Sequence, residues 1–184
     1  MARASRWIRE RSKTPVAVAA LIIFMVTVIF VLPGQSANAS AETGGGDSPD
    51  LSFRYTVNDL YRMAEAFGPE GRSAYIRARL TFDVVWPIVY TLFLASMTSW
   101  LFSRGFPADS RWQSLNMVPV IGLALDYLEN LSTVAVMWRY PLRTPVVDHA
   151  ATVFTPLKWV FIGGSFILVI VGVLRLIWEK VSSR

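Results

Sequence analysis

The chain has 184 residues, a net charge of +5 and no cysteine, which excludes disulfides, thiolate catalysis and cysteine-ligated metal sites. Hydrophobic residues make up 53% of it and charged residues 17%, whereas a typical soluble domain has about 25% charged residues. The apolar residues fall into four long blocks. We therefore expect an all-α integral membrane protein, a four-helix bundle with an amphipathic helical loop on its outer side.

The first apolar block covers residues 15–32 and follows a basic N-terminal segment, residues 1–14. Because about 20 apolar residues suffice to cross a bilayer, we predict a transmembrane helix here. The A-N-A run at residues 37–39 matches a cleavage pattern, so a cleaved signal peptide is the alternative. The block is longer than a signal core of about 7–15 residues, which favours a retained membrane anchor.

Residues 33–79 form the predicted extracytoplasmic loop. Its first part, residues 36–50, is small, polar and Gly-rich, which is typical of a flexible linker. Apolar side chains then recur at helical spacing over residues 57–67, after Thr56 or Asn58 as the candidate cap, and predict an amphipathic helix. This helix either lies on the membrane and caps the bundle, or forms a lid over a site between the spans.

Three further transmembrane helices are predicted at residues 80–102, 115–138 and 150–178. A cytoplasmic turn, an extracytoplasmic loop and a cytoplasmic tail follow them in that order, at residues 103–114, 139–149 and 179–184. We expect Pro156 to break the fourth helix, and the pair Gly163-Gly164 to break it and to permit a close approach of another helix.

Basic residues set the predicted orientation. The N-terminal segment, the turn at 103–114 and the C-terminal end of the chain from Arg175 onward together hold ten basic and three acidic residues, whereas the other loops are nearly balanced. The basic side is expected to be cytoplasmic, so we expect a multi-pass protein of the plasma (cell) membrane with both termini in the cytoplasm. We interpret these residues as topology signals and contacts to lipid headgroups, so the expected partner is the lipid bilayer and no nucleic acid.

Four ionisable side chains fall at membrane depth, where they are costly and usually have a partner. Asp126, Glu129 and Asn130 are three or four residues apart and share one helical face. Glu129 and Lys158 each lie about 12–14 Å from the outer ends of their predicted helices, at 1.5 Å per residue. Equal depth and opposite charge predict an ion pair between them.

Asp83 enters the second span from the same side and is expected to join this pair. Pro87 and Tyr90 follow it at helical spacing, and Pro87 can kink the helix. His149, at the start of the fourth span, is interpreted as a surface residue. The candidate ligand-binding residues are therefore Asp83, Tyr90, Asp126, Glu129, Asn130 and Lys158. No paired histidines or dense ligand set indicates a metal, and no cofactor is expected.

Four short runs carry a resemblance to known sequences. They are EAFGPEGR at 65–72, D-x3-P-x2-Y at 83–90, DYLEN at 126–130 and LKW at 157–159. With these runs, residues 15–180 resemble a group of uncharacterised bacterial four-span integral membrane proteins. The resemblance implies the four-span architecture and a retained first span, and it supplies no chemistry.

Two functions stay open on the sequence. The first is a multi-pass membrane protein that binds a lipid or small amphipathic ligand at its intramembrane polar site; no recognised catalytic motif decides whether it is an enzyme. The alternative is a structural or accessory subunit, with a membrane protein or a second copy of the chain as partner, whose polar network only fixes helix packing. A transporter is disfavoured because the chain has no internal repeat.

Overall fold

The computed structural model describes residues 2–42, 45 and 47–182, and it confirms the all-α architecture, with no strand among those residues. Its helices are α1 (Ala2–Arg11), α2 (Thr14–Val26), α3 (Leu32–Glu42), α4 (Val57–Ala66), α5 (Gly68–Leu80), α6 (Phe82–Gly105), α7 (Val118–Arg139) and α8 (Val147–Ser182). A π-helical turn, Thr27–Val31, connects α2 to α3. Short 3-10 helices lie at Pro49–Leu51 and Arg111–Met117.

Four helical stretches are long and apolar enough to cross a membrane: Thr14–Ala41, Gly68–Gly105, Arg111–Arg139 and Val147–Ser182. Large apolar side chains on them are exposed, for example Phe30 at 76% and Ile167 at 60%. Such a surface is unfavourable in water, whereas the hydrocarbon of a bilayer solvates it. Length, composition and exposed surface therefore all point to helices that lie in a membrane.

The described residues divide into two compact units. The first unit contains residues 2–26, 88–122 and 160–182, and the second contains the described residues between 27 and 87 together with 123–159. Each of the four long apolar helices contributes one part to each unit.

The first unit combines stacked rings with buried polar side chains. Phe24 stacks on Phe93 with the ring centroids 4.4 Å apart. Asn116 is fully buried and donates from Nδ2 to the Ser5 carbonyl at 2.9 Å and to the Ser99 hydroxyl at 2.8 Å. Asn116 therefore ties α1 and α6 to the 3-10 helix that precedes α7.

A helix in the second unit, α4, lies where the sequence predicts an amphipathic one. Thr56 is its cap: the Thr56 hydroxyl accepts from the Asp59 amide at 3.2 Å, and the Asp59 carboxylate accepts from the Thr56 amide at 2.9 Å. Its apolar face buries Leu60 and Ala64 completely, in one cluster with Val136 of α7. This helix thus covers the core of the second unit.

The linker predicted over residues 36–50 is wrong in its first part, because α3 carries the helix on to Glu42. The segment alternates alanine with small polar residues, and alanine is the best helix former. The π-helical turn Thr27–Val31 precedes Pro33, so the hydrogen-bond register is already shifted where proline lacks its N–H. The later part of the predicted linker lies partly outside the described residues.

The predicted break in the fourth apolar helix is also wrong, because α8 runs through Pro156 without interruption. Membrane helices tolerate an internal proline because neighbouring groups and local adjustment satisfy the backbone carbonyl that it leaves free. A Cβ added at Gly163 or Gly164 would meet nothing within 4 Å, so neither glycine provides a close helix contact. A close approach lies at Gly172, where an added Cβ would be 2.8 Å from the Leu101 Cβ.

Candidate functional site

The second unit contains a set of largely buried charged and amide side chains, which we call the polar cluster. It consists of Asp50, Arg79, Asp83, Asp126, Glu129, Asn130 and Lys158. They come from the 3-10 helix Pro49–Leu51, from the joined helices α5 and α6, from α7 and from α8. Glu129 is 0% exposed and Lys158 4%. Charges so far removed from water need partners of opposite charge or hydrogen-bond partners.

Glu129 and Lys158 form an ion pair through Oε2 and Nζ, as their equal depth predicts. Thr155 donates to the other Glu129 oxygen, Oε1, at 2.6 Å. The Tyr55 hydroxyl lies 2.9 Å from the Thr155 hydroxyl and extends the network into the segment before α4. Burial raises the pKa of Tyr55, so its hydroxyl keeps its proton at physiological pH.

Asp126 and Asn130 are linked along α7. Asn130 donates from Nδ2 to Oδ1 of Asp126 at 3.0 Å, one helical turn away. This bond fixes the orientation of the amide, so its oxygen is available as an acceptor on the other side. Lys158 also interacts electrostatically with Asp126. The shared face predicted for the DYLEN run therefore meets α8 at Lys158.

Arg79 bridges two carboxylates. Its Nη1 lies 2.8 Å from Oδ2 of Asp83, and its Nη2 forms an ion pair with Asp50. Asp83 was expected to join the Glu129–Lys158 pair, and this expectation needs correction: its direct partner is Arg79. It interacts with Lys158 electrostatically, without a direct ion pair.

Arg79 and Asp50 were not predicted from the sequence as members of the polar cluster. Arg79 stands four residues before Asp83, which is the spacing of a helical ion pair, so a signal was present. It was overlooked because the second span was predicted to begin at residue 80, whereas the apolar helix begins at Gly68. Asp50 lies in the Gly-rich segment, where no periodicity indicates a contact with Arg79.

The polar cluster has four carboxylates and two cationic groups, hence two negative charges in excess when all are ionised. Apart from the Glu129 oxygen that Lys158 pairs, three buried polar atoms of the cluster have no hydrogen-bond partner among the described residues. They are Oδ1 of Asp50, Nε of Arg79 and Oδ1 of Asn130. Each such group costs about 1–3 kcal/mol, and proteins usually satisfy it with water, an ion or a ligand.

A groove of about 310 Å³ in the second unit leads to the polar cluster. Its lining is almost entirely apolar and consists of Leu80, Val84, Tyr127, Leu131 and Val134, with Arg79 and Asn130 at the wall. Leu80 and Leu131 are more than half exposed, so the groove lies on apolar, lipid-facing surface. The Tyr127 hydroxyl donates to the Val84 carbonyl at 2.7 Å and joins α7 to α6 beside it.

A second and more open pocket, of about 390 Å³, lies between α4 and the loop after α7. Several of its polar groups already have partners: Arg143 donates to Asn58 at 3.3 Å and lies 4.2 Å above the ring of Tyr61. It contains none of the buried atoms without a partner, so it has less need of a ligand than the groove.

Two residues singled out on the sequence lie outside the polar cluster. Tyr90 is buried and belongs to the first unit, seven residues after Asp83 on the same helix. The His149 side chain is 75% exposed, with Nδ1 2.8 Å from the carboxylate of Asp148. Across the described part of the chain, no group of three or more His, Asp or Glu side chains is arranged to hold a metal ion.

No protein-family model, curated protein or solved structure matches the chain. The polar cluster and the groove are therefore the features from which its function is inferred.

Proposed function

We propose that this is a multi-pass protein of the cell membrane that binds a lipid or another small amphipathic molecule at the polar cluster. The observation that carries the proposal is an apolar groove that ends at Arg79 and Asn130, where Nε of Arg79 and Oδ1 of Asn130 are buried without a partner. A molecule with an apolar chain and a polar head fits both parts. Its chain would lie in the groove, and its head would reach the polar cluster after a small shift of these side chains.

The three buried atoms of the polar cluster that have no partner favour a head group that donates and accepts hydrogen bonds and carries no negative charge. Oδ1 of Asp50 and Oδ1 of Asn130 are acceptors, whereas Nε of Arg79 is a donor. A hydroxyl group serves both kinds of atom. An anion is disfavoured because the cluster already has an excess of carboxylates and burial strengthens their repulsion. A long-chain alcohol or an acylglycerol is therefore the favoured ligand class.

A purely structural network is the competing function. Polar contacts between membrane helices contribute about 0.6 kcal/mol each on average. A network that served only packing would be expected to satisfy its own members, because each buried atom without a partner costs more than such a contact contributes. The two unpartnered atoms beside the groove, Nε of Arg79 and Oδ1 of Asn130, support a ligand instead.

The orientation with both termini in the cytoplasm and the retained first span are part of the proposal, as is kinship with the bacterial four-span proteins. The A-N-A run at residues 37–39 lies inside α3, and α3 packs against α5 in the second unit. Proteases prefer exposed, irregular chain to packed helix, so this placement supports retention of the anchor.

The orientation is tested by single-cysteine labelling, because the chain has no cysteine of its own. Ala4→Cys and Glu65→Cys place one thiol each at an exposed position before the first span and between the first two spans. In intact cells, a membrane-impermeant maleimide should label only Glu65→Cys. Labelling of Ala4→Cys in intact cells would show that the N-terminus faces outward.

The ligand site is tested by filling the groove without changing any charge. Leu131→Trp should occupy the groove, since Leu131 is 61% exposed and lines it. Leu128→Trp is the matched control, because Leu128 lies on the same helix and is 44% exposed but is not part of the lining. Dodecanol should raise the melting temperature of the wild type and the control more than dodecanoate does. Dodecanol should leave the melting temperature of Leu131→Trp unchanged.

Native mass spectrometry of protein purified in mild detergent then tests the polar cluster. A specific lipid or small molecule retained by the wild type and by Leu128→Trp, but absent from folded Glu129→Gln and Leu131→Trp, supports the proposal. The same unselective lipid in all four proteins, with a lower melting temperature for Glu129→Gln alone, leaves a structural network and overturns it.

A further inference from the structure

A short basic helix, α1, precedes the first apolar helix by only two residues. Arg3, Arg6 and Trp7 are exposed on it, with Trp7 at 57%, and their spacing places them on one face. The guanidinium of Arg11 lies 5.0 Å from the ring of Trp7. The exposed surface of α1 thus combines three arginines with one aromatic ring.

The other face of α1 is fixed by contacts within the first unit. The Ser5 hydroxyl donates to the Gln113 carbonyl at 3.3 Å, and the Ser5 carbonyl accepts from Asn116 at 2.9 Å. Arg9 donates to the Ala108 carbonyl at 3.0 Å. These contacts hold the helix in place, so its exposed arginines are presented in a fixed arrangement.

The surroundings of α1 are strongly basic. The helix, the two residues that follow it and the stretch from the end of α6 to the start of the next 3-10 helix hold seven basic residues, Arg3, Arg6, Arg9, Arg11, Lys13, Arg104 and Arg111, against the acids Glu10 and Asp109. In the part of the chain that the structure describes, no ion pair involves Arg3, Arg6 or Lys13. Several cations here are therefore free to pair with an external anion.

We propose that the exposed face of α1 binds the phosphate groups of anionic membrane lipids. The chain passes from Lys13 straight into an apolar helix, which places α1 at the boundary between water and hydrocarbon. Trp7 suits this headgroup layer, and arginine pairs with phosphate through two parallel hydrogen bonds. The site lies in the first unit and takes an anion, so it is independent of the groove.

A mere topology signal needs only positive charge, whereas a lipid site should also order the helix when the lipid is present. The test therefore reads amide hydrogen exchange in residues 2–13 of the full-length protein. The protein is placed in nanodiscs of phosphatidylcholine alone, or of phosphatidylcholine mixed with phosphatidylglycerol. The test variant is Arg3→Gln with Arg6→Gln. The control is Arg54→Gln with Arg62→Gln, two exposed arginines of the second unit.

Phosphatidylglycerol should slow exchange in residues 2–13 several-fold in the wild type and in the control pair, and raised salt should reduce the effect. The Arg3/Arg6 variant should lose this response while its melting temperature stays that of the wild type. An equal response in that variant, or none in the wild type, overturns the proposal. So does full protection by inorganic phosphate in phosphatidylcholine nanodiscs, which would indicate a site for free phosphate.

Discussion

Glu129 and Lys158 form an ion pair whose side chains are 0% and 6% exposed. Removing two charges from water costs several kcal/mol for each ion, and their attraction repays this only with good geometry and further hydrogen bonds. Thr155 supplies one such bond to Glu129. A buried pair is thus weak support for a stabilising role, and its position beside unpartnered polar atoms favours a binding site.

Removing one member of this pair should lower the free energy of unfolding far more than removing both. Lys158→Met leaves the Glu129 carboxylate buried without its cation, so we expect a loss of about 3–5 kcal/mol in the free energy of unfolding. Lys158→Met combined with Glu129→Gln removes the uncompensated charge and should recover most of that loss. Denaturant or thermal unfolding in detergent measures both variants. A double variant as unstable as the single one would contradict this account.

Asp50 should tie the segment before α4 to the polar cluster through Arg79. Asp50→Asn keeps the shape of the side chain but removes its charge, so the ion pair with Arg79 weakens. Amide hydrogen exchange over residues 48–55 should then become faster. Asp47→Asn, at an exposed position of the same segment, is the matched control and should change nothing. Equal exchange in the two variants would show that the Arg79 contact does not hold the segment.

Two glycines of α8 should respond in opposite ways to alanine. At Gly172 an added Cβ would lie 2.8 Å from the Leu101 Cβ, so Gly172→Ala should destabilise the protein by about 1–3 kcal/mol. At Gly163 an added Cβ meets nothing within 4 Å, so Gly163→Ala should be neutral or stabilise by up to about 1 kcal/mol. The melting temperatures of both variants and the wild type in the same detergent test this prediction. The reverse order would place the close helix contact at Gly163.

The sequence predicted those features of the fold and site that depend on periodicity. Four apolar blocks gave the four long helices. The half of the polar cluster that α7 and α8 supply was predicted from two observations. They are the helical spacing of Asp126, Glu129 and Asn130 and the depth of Lys158. These predictions succeeded because helical rise and repeat convert residue number directly into depth and face.

The other half of the polar cluster depends on chain packing that periodicity does not report. Asp50 reaches Arg79 from a short 3-10 helix after a Gly-rich segment, across a long separation in sequence. The helix boundaries were mispredicted for a related reason: the first span was predicted to end at residue 32 and the fourth to break at Pro156, whereas the helices continue through both positions. Neighbouring groups and a π-helical turn compensate for the hydrogen bonds that proline lacks. Local composition alone does not reveal that compensation.

The start of α4 should depend on pH through Asp59. The Asp59 carboxylate accepts from the Thr56 amide and hydroxyl, and these bonds, with Arg62 nearby, hold its pKa below the ordinary value. A lowered pKa in the folded state means that the charged form stabilises the helix start above the ordinary carboxyl pKa. This stabilisation is lost as the pH falls through the lower, folded pKa.

NMR should therefore show the amide signals of Thr56 and Asp59 moving towards random-coil values below the ordinary carboxyl range. Asp59→Asn should remove this pH response, whereas Glu65→Gln, exposed on the same helix, should keep it. A response that persists in Asp59→Asn would assign the titration to another group.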